Sequence, residues 1–391
     1  MIRPEMPWDL APRLPWHVFT SPAEKWATQP SFLVGEYLFY ACTALAFAHA
    51  WQQKNQRRKH LLVLVAALLA GTANDLFFMA LPLVDNFWQA QATIMLTPRL
   101  PLYIPCVYTC FMYYSTAAAW RLNLPPLAHA ALSGLAACLF YAPYDIVGAK
   151  FLWWTWHDSD LPISLRLLGA PIGSSMWVLT FVATFSYLLR RAVDRDPAVS
   201  GRSAARALAI VCAFSSLLMI VQMTVLQQID GGVPGPRGLL VELLIYAGIV
   251  AAGWRRARPE KRGLDAPLQG AVILYFVTLT AIMALFTPET HRSTSMHQTY
   301  GQCHVPAVDI AGHTRYKFLC AEDFDEDFSF DCVQGLPPEG SDWYTVCGRP
   351  HTNFPRWMGG VLGLSALGLA LYSGLLGLRR WLPPPASPPE A

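Results

Sequence analysis

Apolar residues run along the chain in nine blocks, near residues 31–51, 61–83, 98–120, 125–146, 167–189, 204–227, 238–254, 267–287 and 357–378. Each block is long enough to cross about 30 Å of hydrocarbon as a helix. The polar connections alternate in charge. Lys54, Arg57, Arg58 and Lys59 follow the first block, Arg190, Arg191, Arg195 and Arg202 the fifth, and Arg255, Arg256, Arg258, Lys261 and Arg262 the seventh. The tail adds Arg379 and Arg380, whereas 84–97 has no Lys or Arg and 228–237 has only Arg237. The pattern predicts an all-α, polytopic membrane bundle with an extracytoplasmic amino terminus and a cytoplasmic carboxyl terminus.

The same pattern divides the chain. Residues 1–30 read as an outer or lumenal interfacial segment without the apolar region of a cleavable signal peptide. Eight helices follow over 31–287, then an extracytoplasmic Cys-rich loop at 288–356, a ninth helix at 357–380 and a Pro-rich cytoplasmic tail at 381–391. Composition agrees: 54% of the 391 residues are hydrophobic and 14% are charged, against about a quarter charged in soluble domains. A net charge of +3 gives no reason to expect a nucleic-acid partner; membrane lipid is the expected surroundings.

Nine cysteines fall into two groups. Cys42, Cys106, Cys110, Cys138 and Cys212 lie in helices, and Cys303, Cys320, Cys332 and Cys347 share the 288–356 loop. In an oxidising compartment the four predict two disulfides, in any of three pairings. The absence of CxxC spacing disfavours a zinc site, so no metal is assigned. Asp323, Asp325, Asp327 and Asp331 occupy positions 1, 3, 5 and 9 of a calcium-loop count, but Phe328 and Gln334 stand where Gly and Glu belong. A solvated acidic strand or hairpin is favoured, and no cofactor is predicted.

Ionisable groups at membrane depth are costly and point to function. Glu36, Asn74, Asp75, Arg99, Asp145 and Glu242 are the candidates, with Asp75 foremost, about 12 Å below the outer boundary if its helix runs to residue 83. Its structural alternatives are a helix–helix hydrogen bond or a pair with Arg99. Pro98, Pro101 and Pro105 are expected to distort the start of the third helix.

Residues 71–121 align with 141–191 at a constant 70-residue offset, placing Asp75 on Asp145, Pro101 on Pro171 and Arg121 on Arg191. A parallel repeat would put both aspartates on one outward-opening cavity rimmed by "DNFWQAQ" and "FLWWTWHDSD". In the second rim, Trp153, Trp154 and Trp156 read first as an aromatic belt at the lipid–water interface. The sharper reading makes them a binding wall, with His157, Asp158 and Asp160 as a metal or acid–base cluster, although no second His stands at ligand spacing. HExxH, Walker A, GxGxxG and GxSxG motifs are all missing.

The stretches "RLPLYIPCVYTCFMYY", "YDIVGAKFLWWTWHDSD", "GAPIGSSMW" and "WYTVCG" resemble an uncharacterised family of polytopic membrane proteins. More distantly, an acidic residue in a helix, an aromatic loop and a Pro-led helix resemble the carotenoid-biosynthesis hydratases. That likeness implies addition of water to an isoprenoid double bond, with Asp75 and Asp145 at the acidic positions and Pro101 and Tyr108 at the Pro and Trp. The chain departs from it at Tyr108, in the Pro171–Trp177 spacing and in its disulfide loop.

Three functions compete. The foremost is an enzyme on a hydrophobic lipid or isoprenoid substrate, with Asp75 and Asp145 in different protonation states and Trp rings stabilising a cation. The others are an ion-coupled carrier using Asp75, Glu36 and Glu242, and a receptor-like or scaffolding protein.

Overall fold

Proline and small polar caps mark where the helices begin. In the computed structural model, which describes residues 14–81, 87–157, 159–258, 263–322 and 328–377, ten helices occur among the described residues. They are α1 (Pro22–Thr28), α2 (Pro30–Gln52), α3 (Arg57–Met79), α4 (Tyr103–Trp120), α5 (Pro126–Lys150), α6 (Ile172–Arg195), α7 (Gly201–Leu226), α8 (Pro236–Trp254), α9 (Ala266–Leu285) and α10 (Phe354–Gly377). Pro22, Pro30, Pro126 and Pro236 sit where a helix needs no N–H. Ser21, Ser200 and Asp265 accept from backbone N–H groups of the first turns of α1, α7 and α9.

Eight of these helices have the length and apolarity to cross a membrane. The protein is a multi-pass membrane protein. The ninth expected span, α4, is different in kind: all of its residues are buried. It packs against α2, α3 and α5, so it meets protein where the others meet lipid and can carry tyrosines whose hydroxyls find partners. Tyr114, for example, donates to the Cys42 carbonyl at 2.6 Å. Its start is Tyr103, not residue 98; Pro101 precedes it in an isolated bridge with Met95, and only Pro105 lies in its first turn. By contrast, α7 and α8 turn Val221, Val225, Leu240 and Leu244 outward, each more than half exposed. That is the surface expected of helices at the lipid boundary.

The connections gather at two ends. At one, Asp265 meets His49 and Arg121, and Arg190 reaches Asn123. The Arg- and Lys-rich turns belong to this end. At the other lie α1, the strands β1 (Phe87–Gln89) and β2 (Trp154–Trp156), the short pair β3 (Arg166–Leu167) and β4 (Ala170–Pro171), and a small β-containing domain that stands outside the helical bundle, the outer domain. In that domain β5 (Arg292–Met296), β8 (Phe328–Ser329) and β9 (Trp343–Gly348) form a sheet with β9 central, and β6 (Pro306–Val308) pairs with β7 (Thr314–Tyr316) as a hairpin. Tyr300, Leu319, Phe328, Phe330, Tyr344 and Val346 pack its core. The structure selects one of the three disulfide pairings, Cys303–Cys320 and Cys332–Cys347. The first closes the β6–β7 hairpin and the second ties the turn after β8 to β9.

Candidate functional site: a roofed aromatic cavity

The chain turns sharply at the end of α5. Leu152 adopts a left-handed backbone (φ 58°). Trp153 N–H then bonds back to Gly148 O at 2.8 Å and Leu152 N–H to Ala149 O at 3.2 Å. These are the two bonds of a Schellman termination, made here with leucine where glycine is usual. The turn sends Trp154–Trp156 across the top of the bundle, where β2 pairs antiparallel with β1, setting Phe87 against Trp156, Trp88 against Thr155 and Gln89 against Trp154.

Side chains alternate across a strand, and opposed residues share a face. Phe87, Gln89, Trp154 and Trp156 therefore face inward and line a cavity of about 220 Å³. Trp88 and Thr155 face the outer domain, where Trp88 packs on Met296 and Thr155 Oγ1 meets His297 Nδ1 at 3.1 Å. The two strands form a roof between bundle and outer domain.

Aromatic residues of α4, α5 and α6 make the walls, among them Phe111, Tyr141, Tyr144 and Trp177. Among the described residues one carboxyl, Asp75 of α3, lines this otherwise largely apolar space. Tyr108 Oη donates to Asp75 Oδ1 at 2.5 Å and accepts from Asn74 Nδ2 at 3.2 Å. Asn74 Oδ1 in turn accepts from Ser216 of α7 at 2.8 Å. Gly71, one turn before Asp75, makes this possible: a Cβ there would lie 2.2 Å from Tyr108 Cγ. Gly148 does the same for the roof, since its Cβ would lie 2.1 Å from the ring of Trp154. Asp75 is four residues from the end of α3, about 6 Å along the axis, half the depth expected from sequence because the helix stops at Met79. From the outer domain Arg315 of β7 also lines the cavity.

The chain matches the domain of unknown function family DUF7802 over residues 15–373. It belongs to that family. No curated protein and no solved structure matches it significantly. Membership of DUF7802 agrees with the expected resemblance to an uncharacterised family of polytopic membrane proteins.

The remaining candidates of this DUF7802 chain are dispersed. The tryptophans do not form a lipid-facing belt: Trp153, Trp154 and Trp156 are at most 8% exposed. Trp153 points into the bundle core, stacks on Phe32 and donates to Ser31 Oγ at 3.2 Å. His157, on the outward face of β2's extension, meets Phe318 O at 2.6 Å and Asp160 at 3.6 Å, and so joins rim to outer domain. Asp158 lies outside the described residues, as do Asp323, Asp325 and Asp327. Asp145 is buried in α5 and is not among the described residues that line the cavity. Glu36 accepts from Thr93 N at 3.1 Å, Thr93 Oγ1 at 2.6 Å and Tyr40 Oη at 2.7 Å, which ties the 90s loop to α2. Arg99 stacks its guanidinium over Trp88 and reaches toward Phe87 O. Glu242 is fully buried on α8, away from the cavity, with neither oxygen hydrogen-bonded among the described residues.

Among the described residues no three His, Cys, Asp or Glu side chains converge as a metal shell. The residues missed from sequence are Arg315 and the two glycines. Nothing local marks Arg315, whereas the i, i+4 spacing of Gly71 and Asp75 is a helix-face signal legible in retrospect.

Proposed function

We propose that the protein takes a hydrophobic, lipid-like small molecule into the roofed cavity and acts on it with Asp75 as the acid–base group. The observation that carries this reading is one carboxyl, oriented by the Tyr108 hydroxyl, in a space otherwise walled mainly by aromatic and aliphatic side chains. A carboxyl in such surroundings exchanges a proton with a bound group at little reorganisation, because its partners are already in place. The faces of Trp154, Trp156 and Trp177 would favour positive charge developing on the substrate. A carrier that uses Asp75, Glu36 and Glu242 together has less support, since Glu36 is saturated by Thr93 and Tyr40 and Glu242 does not line the cavity. We place the roof and outer domain on the extracytoplasmic side; the disulfides at that end and the Lys- and Arg-rich turns at the other support this orientation.

The test is untargeted lipid profiling of cells carrying wild type, Asp75→Asn or Asp145→Asn at equal expression. Asp75→Asn is expected to abolish the difference that wild type makes, and Asp145→Asn, off the cavity, to retain it. A lipid profile indifferent to wild type and Asp75→Asn alike would sink the enzymatic reading.

A further inference from the structure

Asp75 ends a chain of hydrogen bonds whose donors all point toward it. Ser216 Oγ donates to Asn74 Oδ1 at 2.8 Å, Asn74 Nδ2 to Tyr108 Oη at 3.2 Å, and Tyr108 Oη to Asp75 Oδ1 at 2.5 Å. Because Tyr108 accepts from Asn74, its own proton is committed to the carboxyl, and a chain of this polarity favours negative charge at its end. The second oxygen, Oδ2, takes no hydrogen bond and pairs with no cation among the described residues. It is not sealed either, for Asp75 lines the cavity and Oδ2 keeps accessible surface there. Arg99 lies within electrostatic range of Asp75, but its guanidinium is held over Trp88, whose ring is on the outward face of the roof. A carboxylate in so apolar a space is costly without a counter-charge beside it, and the described residues supply none.

The walls favour the same sign of charge. Trp177, Tyr108, Phe111, Tyr141, Tyr144 and Trp154 line the space and form an unbroken run of ring contacts, each centroid 5.0 to 5.8 Å from the next. Aromatic rings attract a cation through their quadrupoles and repel an anion. Arg315 is the cation of the lining among the described residues. Its charge is offset, with Nε 2.7 Å from Asp309 Oδ2 and Nη1 3.5 Å from Asp160 Oδ2. Size then separates an organic cation from a metal ion. About 220 Å³ is room for roughly seven waters at about 30 Å³ each, more than a bare ion fills, and no three metal-ligating side chains converge among the described residues. Resting on the lipid-substrate reading above, we infer that the small molecule carries a protonated amine head, which donates an N–H to Asp75 Oδ2 within the aromatic shell. Asp75 is thus the counter-ion that selects the head, and the rings beside it select for its charge.

The experiment is titration calorimetry of the full chain in a non-ionic detergent, against detergent alone, with three probes: decylamine, which is protonated at pH 7, decanol and decanoate. Wild type is expected to bind decylamine tightest and decanoate weakest. Asp75→Asn keeps an acceptor for Tyr108 and removes the charge, so it should lower the amine-to-alcohol affinity ratio about tenfold, the size of one lost hydrogen bond between charged groups. Decanol binding that persists in this variant shows that the cavity still forms. Trp177→Leu removes one ring and should lower the same ratio about fivefold; it carries the test where Asp75→Asn fails to fold. A wild-type preference for decanol or decanoate, or a ratio that ignores both substitutions, overturns the amine head and leaves the cavity reading intact. Displacement of decylamine by millimolar sodium in wild type but not in Asp75→Asn assigns the carboxylate to an inorganic cation and overturns it likewise. Wild type that binds none of the three probes overturns the cavity reading itself.

Discussion

Leu152 occupies a backbone region that favours glycine, yet its side chain is fully buried in the core of the outer domain beside Tyr300, Leu319 and Phe328. The left-handed conformation costs a non-glycine residue about 1–2 kcal/mol, and burying the leucine contributes about 1.5–3 kcal/mol. The two demands conflict, and packing wins. Leu152→Ala should lose the packing and keep the strain, for a destabilisation of about 2–5 kcal/mol. Leu152→Gly should be milder by about 1–2 kcal/mol, because it also relieves the strain. Thermal unfolding of the two variants decides; alanine as mild as glycine would refute the strain. At Gly71 the conflict is steric. Gly71→Ala sets a methyl 2.2 Å from Tyr108 Cγ, so the ring must retreat from Asp75 at a cost of about 1–3 kcal/mol. Its lipid profile should match that of Asp75→Asn, and Tyr108→Phe, which keeps the ring but removes the donor, should weaken the effect of wild type without unfolding the protein.

At the scale of elements, the strand β2 explains why "FLWWTWHDSD" mixes tryptophan with polar groups. Period-two alternation sends Trp154 and Trp156 into the cavity and Thr155 and His157 to the outer domain. Read as a helix end at an interface, the same letters suggest a belt; no one-dimensional pattern announces a three-residue strand whose partner lies some 65 residues earlier. The hairpin β6–β7 depends on its own crosslink in the same way. Replacing Cys303 and Cys320 together by serine should destabilise that hairpin by about 3 kcal/mol, as expected for closure of a loop of this length. Hydrogen exchange should report the loss in residues 303–320, with the bundle helices unaffected.

For the molecule as a whole, the outer domain should fail first in acid. His291 and His297 are buried, and burial pulls each imidazole down to about 4 from the usual 6.5. Between pH 6.5 and 4 the unfolded chain takes up protons that the folded chain refuses, so stability falls across that window and levels off below it. The loss is on the order of 3 kcal/mol for each histidine. Asp309 acts in a different range. Burial, the largest single influence, would raise its carboxyl, but the hydrogen bond and charge of Arg315 together with the backbone N–H groups of His313 and Ala311 outweigh it and hold the group below the ordinary value, so its contribution is present above about pH 4 and lost only beneath it. Unfolding midpoints between pH 7 and 4 should drop for wild type and drop about half as far in His297→Gln, where His291 alone remains; a flat wild-type curve would contradict the buried neutral histidines. The orientation is open to the same kind of check. A cysteine placed at an exposed position such as Leu336 should react with impermeant reagent from outside the cell, and labelling only from the cytoplasm would reverse the topology.

Partition into a membrane depends on local composition summed over about twenty residues, so the sequence alone determined the apolar spans, the alternation of charge between the two ends and the confinement of four cysteines to one loop. It also singled out Asp75, because a carboxyl in an apolar block is conspicuous wherever its partner lies. What only the tertiary structure decided was convergence. Tyr108 reaches Asp75 across 33 positions, Arg315 enters from a domain beyond nine helices, and Asp145, equivalent to Asp75 by offset, stands away from the cavity. Those relations follow from which helix faces pack together and which glycines admit a ring between them, and neither is written in the order of residues along any single segment.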